Sequence, residues 1–314
     1  MRNVINPMTL ALWHSPRILL PLPPLFWAIN LLIGRAFAAN LPPFGLTFWR
    51  WAVASVILVP MVWSTLKQHR QTLRSCWKLI LVCTVSGFIC YPVLNYFGLH
   101  TTPAASASIL NSTLPLMVPL FAWLISGDRP SARVVGGILI SFVGVIWIVS
   151  QGQPSQVLEI GVSLGELLVL LAVAGYAFYS VCLRFRPKGL PDMAFLAAMS
   201  MGACVVSIPP WIGEELTGQH FPLATYSVLS VLFIGIFASL LGAAFWNRCI
   251  DLLGPSVTGT SFHLMPVYAS ALALIFLGEP IHTFHLIGIA LILIGFAIAV
   301  RLKPRPATDS TNRQ

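Results

Sequence analysis

SGDRPSARVVGGILISFVG (residues 126–144) and LGEPIHTFHLIGIALILIG (residues 277–295) carry the same punctuation. A shift of 151 residues lays Gly127 on Gly278, Asp128 on Glu279, Gly137 on Gly288 and Gly144 on Gly295; further back it lays Pro115 on Pro266. A constant offset held across turn residues and helix glycines is the mark of an internal repeat. What the repeat means for the fold depends on how many membrane crossings it contains.

Of the 314 residues, 57% are hydrophobic and 9% charged, against about 25% charged in a soluble domain. Apolar runs of roughly 18 to 25 residues recur along the chain, each long enough to cross about 30 Å of hydrocarbon as a helix. Charges and turn residues divide them into spans at 18–38, 44–64, 77–98, 104–125, 132–150, 163–183, 191–212, 225–247, 256–277 and 283–302. The expected class is an all-α polytopic membrane protein with ten transmembrane helices. The first run starts near Ile18 with no small-x-small cleavage pattern, so it reads as a retained helix rather than a signal peptide.

Charge tests this count independently. With the N-terminus in the cytoplasm, all 18 Lys and Arg fall on inside segments except Arg35 and Arg50. The outside loops hold Glu159, Glu214, Glu215 and Glu279 and no Lys or Arg, so the positive-inside bias places both termini in the cytoplasm of a bacterial inner membrane. Topology accounts for the net charge of +9, and no nucleic-acid partner is expected.

The repeat offset spans five helices, an odd number, so the two copies enter the membrane from opposite sides. Arg129 and Arg133 in the inside copy match Pro280 and Phe284 in the outside copy, as that inversion requires. The organisation is then a cytoplasmic N-terminal segment (1–17), a first repeat (18–150), an outside linker (151–162), a second repeat (163–302) and a cytoplasmic tail (303–314). Inverted repeats are characteristic of alternating-access transporters, because two similar halves can exchange conformations around a shared site.

LPPFGLTFWR at Leu41 to Arg50, TTPAASASILNSTLPL at Thr101 to Leu116, and the GDRPS and GEP turns with their downstream glycines resemble the EamA-type transporters of the drug/metabolite transporter superfamily. The resemblance covers about residues 18 to 302. It implies ten helices, cytoplasmic ends, export of small metabolites or amino acids, and a central cavity lined by helices 1, 3, 4, 6, 8 and 9. Aligning Pro42 with Pro191 puts Met199 opposite Arg50, so any role of that arginine is confined to one half.

Polar residues on those helices form the candidate substrate cavity: Asn30, Tyr91, Asn95, Ser108, Asn111, Tyr176, Tyr179, Trp246, His263 and Tyr268. Tyr91 with Asn95, Ser108 with Asn111 and Tyr176 with Tyr179 stand three or four positions apart and so share helix faces. Pro115 and Pro266 are placed to bend their helices at matching depth.

Arg50 is the outstanding charge, because a cation at mid-membrane costs about 2.5–3.5 kcal/mol on insertion scales. One reading has it snorkelling to the outer interface, with Trp49 and Trp51 as interfacial belt residues pointing away from it. The other is an ion pair in which Arg50 or Arg35 meets Glu166, the carboxylate well inside a predicted helix.

No GxxxxGK[ST], GxSxG or HExxH occurs, so neither an ATPase nor a catalytic centre is expected. The six cysteines read as free thiols, and His282 with His285 lacks a third ligand, so no metal or cofactor is expected. The expected function is secondary transport of a small-molecule substrate across a lipid bilayer, with protons as a candidate coupling ion. The alternative is a non-transporting membrane accessory or scaffold subunit.

Overall fold

The computed structural model describes residues 13–37, 41–99, 109–153, 155, 164–222, 224–277 and 282–300. Among them the chain is helical throughout. We label α1 Leu22–Phe37, α2 Pro43–Met61 and α3, which runs from Trp77–Cys83 through a π-helical turn at Thr84–Cys90 into Tyr91–Leu99. Then come α4 Leu114–Ser126, α5 Ala132–Val149, α6 Leu164–Cys182 and α7 Asp192–Leu216. α8 runs from Thr225–Phe233 through a second π-helical turn at Ile234–Leu241 into Gly242–Leu253. α9 is Leu264–Leu277, preceded by Pro255–Thr260 and a 3-10 turn at Ser261–His263, and α10 is Thr283–Ala299.

Among the described residues, seven stretches are long and apolar enough to cross a membrane: those of α2 to α8. The described parts of the other three expected spans, 18–37, 256–277 and 283–300, are largely helical but shorter. α1 has 16 residues, α9 is interrupted before Leu264, and α10 has 17 residues, about 25 Å of helix. The surface is that of a protein solvated by lipid. Val56 (73% exposed) and Leu124 (66% exposed) face outward, while Trp246, Tyr179 and Phe195 are fully enclosed.

Local chemistry sets the helix ends. Ser131 caps α5 by accepting from the Val134 N–H, and Gly127 ends α4 in the left-handed conformation (φ 71°) that glycine adopts without strain. Prolines 42 and 191 start α2 and α7 at equivalent places with nearly equal backbone angles, and each leaves a helix N-terminus without a side-chain cap of its own.

The two halves meet along a line of residues separated by the repeat offset, which is 149 for α1 and α2 against α6 and α7 and 151 for the rest. Ser55 Oγ lies 3.6 Å from Cys204 Sγ, the Trp27 ring sits edge-on to Tyr176 at 5.7 Å, His263 bonds the Ser112 carbonyl, and Ser141 bonds the Ile292 carbonyl. Away from that line, contacts come in exchanged pairs. A Cβ on Gly137 would stand 2.5 Å from the Gly295 carbonyl, and one on Gly144 would stand 2.7 Å from the Gly288 carbonyl. Likewise Thr84 reaches the carbonyl of Met199 while Gly235 lies against that of Arg50. This is the contact pattern of a local two-fold axis, with α5 antiparallel to α10 at one side and α2 antiparallel to α7 at the other.

The two π turns fall at matching positions and do the same work. A π turn widens the helix and releases carbonyls from the i to i−4 ladder. Trp51 Nε1 donates to the Phe88 carbonyl in the first, and Trp27 Nε1 donates to the Ala238 carbonyl in the second, both at 3.0 Å. Regular helix is interrupted just before each of Pro115 and Pro266, by a turn at 112–113 and by the 3-10 turn at Ser261–His263. At the first, Leu116 N turns back to the Thr113 carbonyl. The Ser112 carbonyl accepts instead from His263 Nε2 at 3.0 Å.

Candidate functional site

Aromatic side chains converge where the axis crosses the middle of the bundle. Tyr176 contacts Tyr91 (4.7 Å between ring centroids), Tyr179 (5.2 Å), Trp246 (5.6 Å) and Trp27, which in turn packs on Trp246 and Phe262. Two of these side chains are tied down by neighbouring polar groups. Tyr179 donates to Asn247 Oδ1 at 2.5 Å, and Trp246 Nε1 donates to Ser180 Oγ at 3.1 Å.

A second network adjoins the first through Tyr91, whose hydroxyl donates to Asn111 Oδ1. Asn111 Nδ2 donates to Asn95 Oδ1, and Asn95 Nδ2 donates to the Tyr91 carbonyl, closing a ring between α3 and the segment leading into α4. On the far side of Trp27, Asn30 bonds Tyr96. Shifted by 149 and 151 residues, Asn30 and Tyr96 fall on Tyr179 and Asn247: the same tyrosine–asparagine bond occurs in both halves, with the residue types exchanged.

Of the residues expected to line the site, the structure therefore brings together Asn30, Tyr91, Asn95, Asn111, Tyr176, Tyr179 and Trp246. His263 stands next to this group through Ser112, with Phe142 stacked on its ring at 6.3 Å. Tyr268 does not join: it packs with Val145, Ile148 and Ile292 on the α5–α10 side. Ser108 and the side chain of Arg35 lie outside the described residues. Trp27, Tyr96, Asn247 and Ser239 were missed; for Trp27 the available signal was its position three residues before Asn30, on the same helix face.

Arg50 does not snorkel. It is 7% exposed, and its Nε donates to Ser239 Oγ in the second π turn at 2.7 Å. Trp51 is no belt residue either: at 4% exposure it stacks on Phe88 with ring centroids 3.9 Å apart. The Arg50 Cζ lies 5.8 Å from the Trp51 ring centroid, because the long stem folds back over a neighbour that helix geometry alone points elsewhere. No ion pair joins Arg50 to Glu166, which is buried in the first turn of α6 and has interactions of its own.

The two ends of the bundle differ. At the end where α7 starts, Arg186 bridges Asp192 (2.7 Å) and Asp251 (3.1 Å), and Arg248 approaches Asp192 at 3.6 Å. The repeat offsets carry Met193 and Arg248 onto Phe44 and Phe97, which meet edge to face at 5.7 Å at the opposite end. Among the described residues, an ion cluster thus stands at one end where the counterpart positions at the other carry an aromatic pair.

This arrangement has known relatives. "Uncharacterized transporter YyaM" of Bacillus subtilis (strain 168) is 25% identical over 253 residues, covering 80% of this chain and 82% of its own length. "Inner membrane protein YtfF" of Escherichia coli (strain K12) is 26% identical, covering 92% and 96%. A "Probable terminal-alkyne amino-acid exporter" of Streptantibioticus cattleyicolor is 27% identical, covering 82% and 84%. One solved crystal structure superposes with a TM-score of 0.74 at 20% identity, over 93% of this chain and 99% of the other, so the fold is shared. The sequence pattern of the EamA-like transporter family matches twice, at residues 16–150 and 163–301, and with apolar membrane-crossing helices on either side of the repeat the chain belongs to that family of multi-pass membrane transporters.

Proposed function

We propose that the chain is a secondary exporter of small metabolites or amino acids, working by alternating access through ten helices arranged as two inverted five-helix repeats. The observation that carries this reading is the convergence of the aromatic and amide cluster on the axis relating the two halves: a site on that axis is reached equally from either side as the halves exchange conformations. The exporter named among the relatives supports the direction and cargo class.

In this reading both termini are cytoplasmic, in a bacterial inner membrane. The Asp192 end is then the cytoplasmic gate, and the Phe44–Phe97 end is the outer gate. The repeats occupy residues 18–150 and 163–302, and protons are a candidate coupling ion. The test is flux in liposomes containing only this chain, with a panel of amino acids, organic acids, sugars and nucleosides. Saturable flux of one class is expected; folded protein that moves none of them supports the accessory-subunit alternative.

A further inference from the structure

Arg50 sits about two turns inside α2, enclosed by protein. Its Nε is held by Ser239, and the groups within electrostatic reach are the phenols of Tyr91, Tyr96 and Tyr176. None of these carries a compensating charge, and among the described residues no carboxylate pairs with it. A buried cation inside a membrane bundle calls for an opposite charge.

The fold supplies its own control for a purely structural role. The exchanged contact in the other half places Met199 where Arg50 stands and Phe88 where Ser239 stands. α7 packs on the first π turn there as α2 packs on the second: the Thr84 hydroxyl donates to the Met199 carbonyl in one half, and Gly235 lies against the Arg50 carbonyl in the other. The architecture therefore closes with a methionine at this place, and its shape does not demand the arginine. A second observation lies alongside. Asn30 Oδ1 is buried without a hydrogen-bond partner, on a side chain bonded to Tyr96, itself within reach of Arg50. An uncompensated cation and an unmatched acceptor thus both neighbour Tyr96, beside the aromatic cluster.

We infer that Arg50 is an anion subsite, and that the solute this protein carries bears a carboxylate or phosphate-type oxyanion which seats on its guanidinium. With Nε taken by Ser239, the two terminal nitrogens remain to meet two oxygens of the anion, a match that a lysine ammonium lacks. The rings of Tyr91 and Tyr176 flank the organic part of the solute, and Asn30 Oδ1 accepts from any donor it carries. The inference takes its cargo from the transport reading, but binding alone tests it.

The experiment is ligand-dependent thermal stabilisation of the purified full chain in chloride-free buffer, with benzoate and inorganic phosphate as anionic probes and benzamide as the neutral match for benzoate. At least one anion is expected to raise the melting temperature in a saturable way while benzamide does not. Arg50→Met, which installs the residue of the other half, is expected to weaken the apparent Kd at least tenfold. Arg50→Lys is expected to weaken it several-fold. The absence of an anion-dependent shift in the wild type, benzamide matching benzoate, or unchanged anion binding in Arg50→Met each overturns the inference. If Arg50→Met does not fold, Arg50→Lys and Ser239→Ala decide, and unchanged anion affinity in both overturns it. Anion binding without liposome flux would count against transport and leave the subsite standing; flux of neutral solutes with no anion binding would do the reverse.

Discussion

The Gly45 N–H points at Glu214 Oε2, 2.8 Å away across 169 residues, and the Phe44 N–H meets the other oxygen of the same carboxylate at 3.0 Å. α2 begins Pro42-Pro43, which supplies no side-chain cap, so a carboxylate from the end of α7 satisfies its first free donors and sits favourably at the positive end of its dipole. Glu214→Ala is expected to destabilise the fold by about 1–3 kcal/mol, the cost of leaving buried donors unmatched. Glu214→Gln keeps one acceptor and should lose less. Thermal unfolding in detergent reads the order wild type, Gln, Ala; equal melting points for all three would refute the cap.

Neighbouring glycines in α5 give a built-in comparison. A Cβ on Gly136 meets nothing within 4 Å, whereas one on Gly137 runs into the Gly295 carbonyl and Ala299 of α10. Gly137→Ala should cost about 1–3 kcal/mol through overpacking. Gly136→Ala should be neutral or stabilise by up to about 1 kcal/mol through helix propensity. Melting temperatures of the two variants check this directly, and similar losses in both would mean that the α5–α10 contact is not tight.

Gly137 and Gly144 stand seven residues apart, two helical turns on one face, and their counterparts recur at a fixed offset; both are properties of the string of residues, so the repeat was legible in the sequence, whereas the α5–α10 contact these glycines make was not read from it. Tyr91 with Asn95 and Tyr176 with Tyr179 were legible for the same reason, as i,i+3 and i,i+4 pairs. The π turns at Thr84–Cys90 and Ile234–Leu241 were not, since no residue type marks a widened turn. Because the second of them aims Ser239 at Arg50, that partner was hidden too, 189 residues away and visible only in three dimensions. Trp51 was misplaced because a tryptophan near a helix end has the same composition whether it faces lipid or stacks on Phe88. Tyr268 was grouped with the site by residue type, yet a single residue without a spaced partner says nothing about which face is inward.

The ion cluster of Arg186, Asp192, Asp251 and Arg248 joins the ends of α6, α7 and α8 with only partial exposure to water. Each such pair is worth about 0–1 kcal/mol. A loss of 1 kcal/mol shifts an opening equilibrium about fivefold. Cys249, fully buried against Leu19 and Leu20 beside this cluster, is the reporter. Asp192→Asn is expected to raise the rate of maleimide labelling at Cys249 several-fold, and high salt should do the same in the wild type. Unchanged labelling in both would show that the cluster does not hold this end closed.

Ser55 and Cys204 are counterparts under the 149-residue offset, so exchanging the two halves maps their contact onto itself. A bond on the axis should therefore survive the conformational exchange, whereas a bond across one end should not. In Ser55→Cys, oxidation is expected to join residues 55 and 204, their side chains already lying 3.6 Å apart in the native protein. Flux of the solute identified in liposomes should stay above about half of the reduced value, since a cross-link that strains neither state leaves their balance unchanged. Asp192→Cys with Arg248→Cys, oxidised in the same way, should lose nearly all flux and recover it on reduction. If the cross-link at Ser55 also arrests transport, α2 and α7 slide past each other at the axis, and the cycle is not an exchange of two mirrored halves.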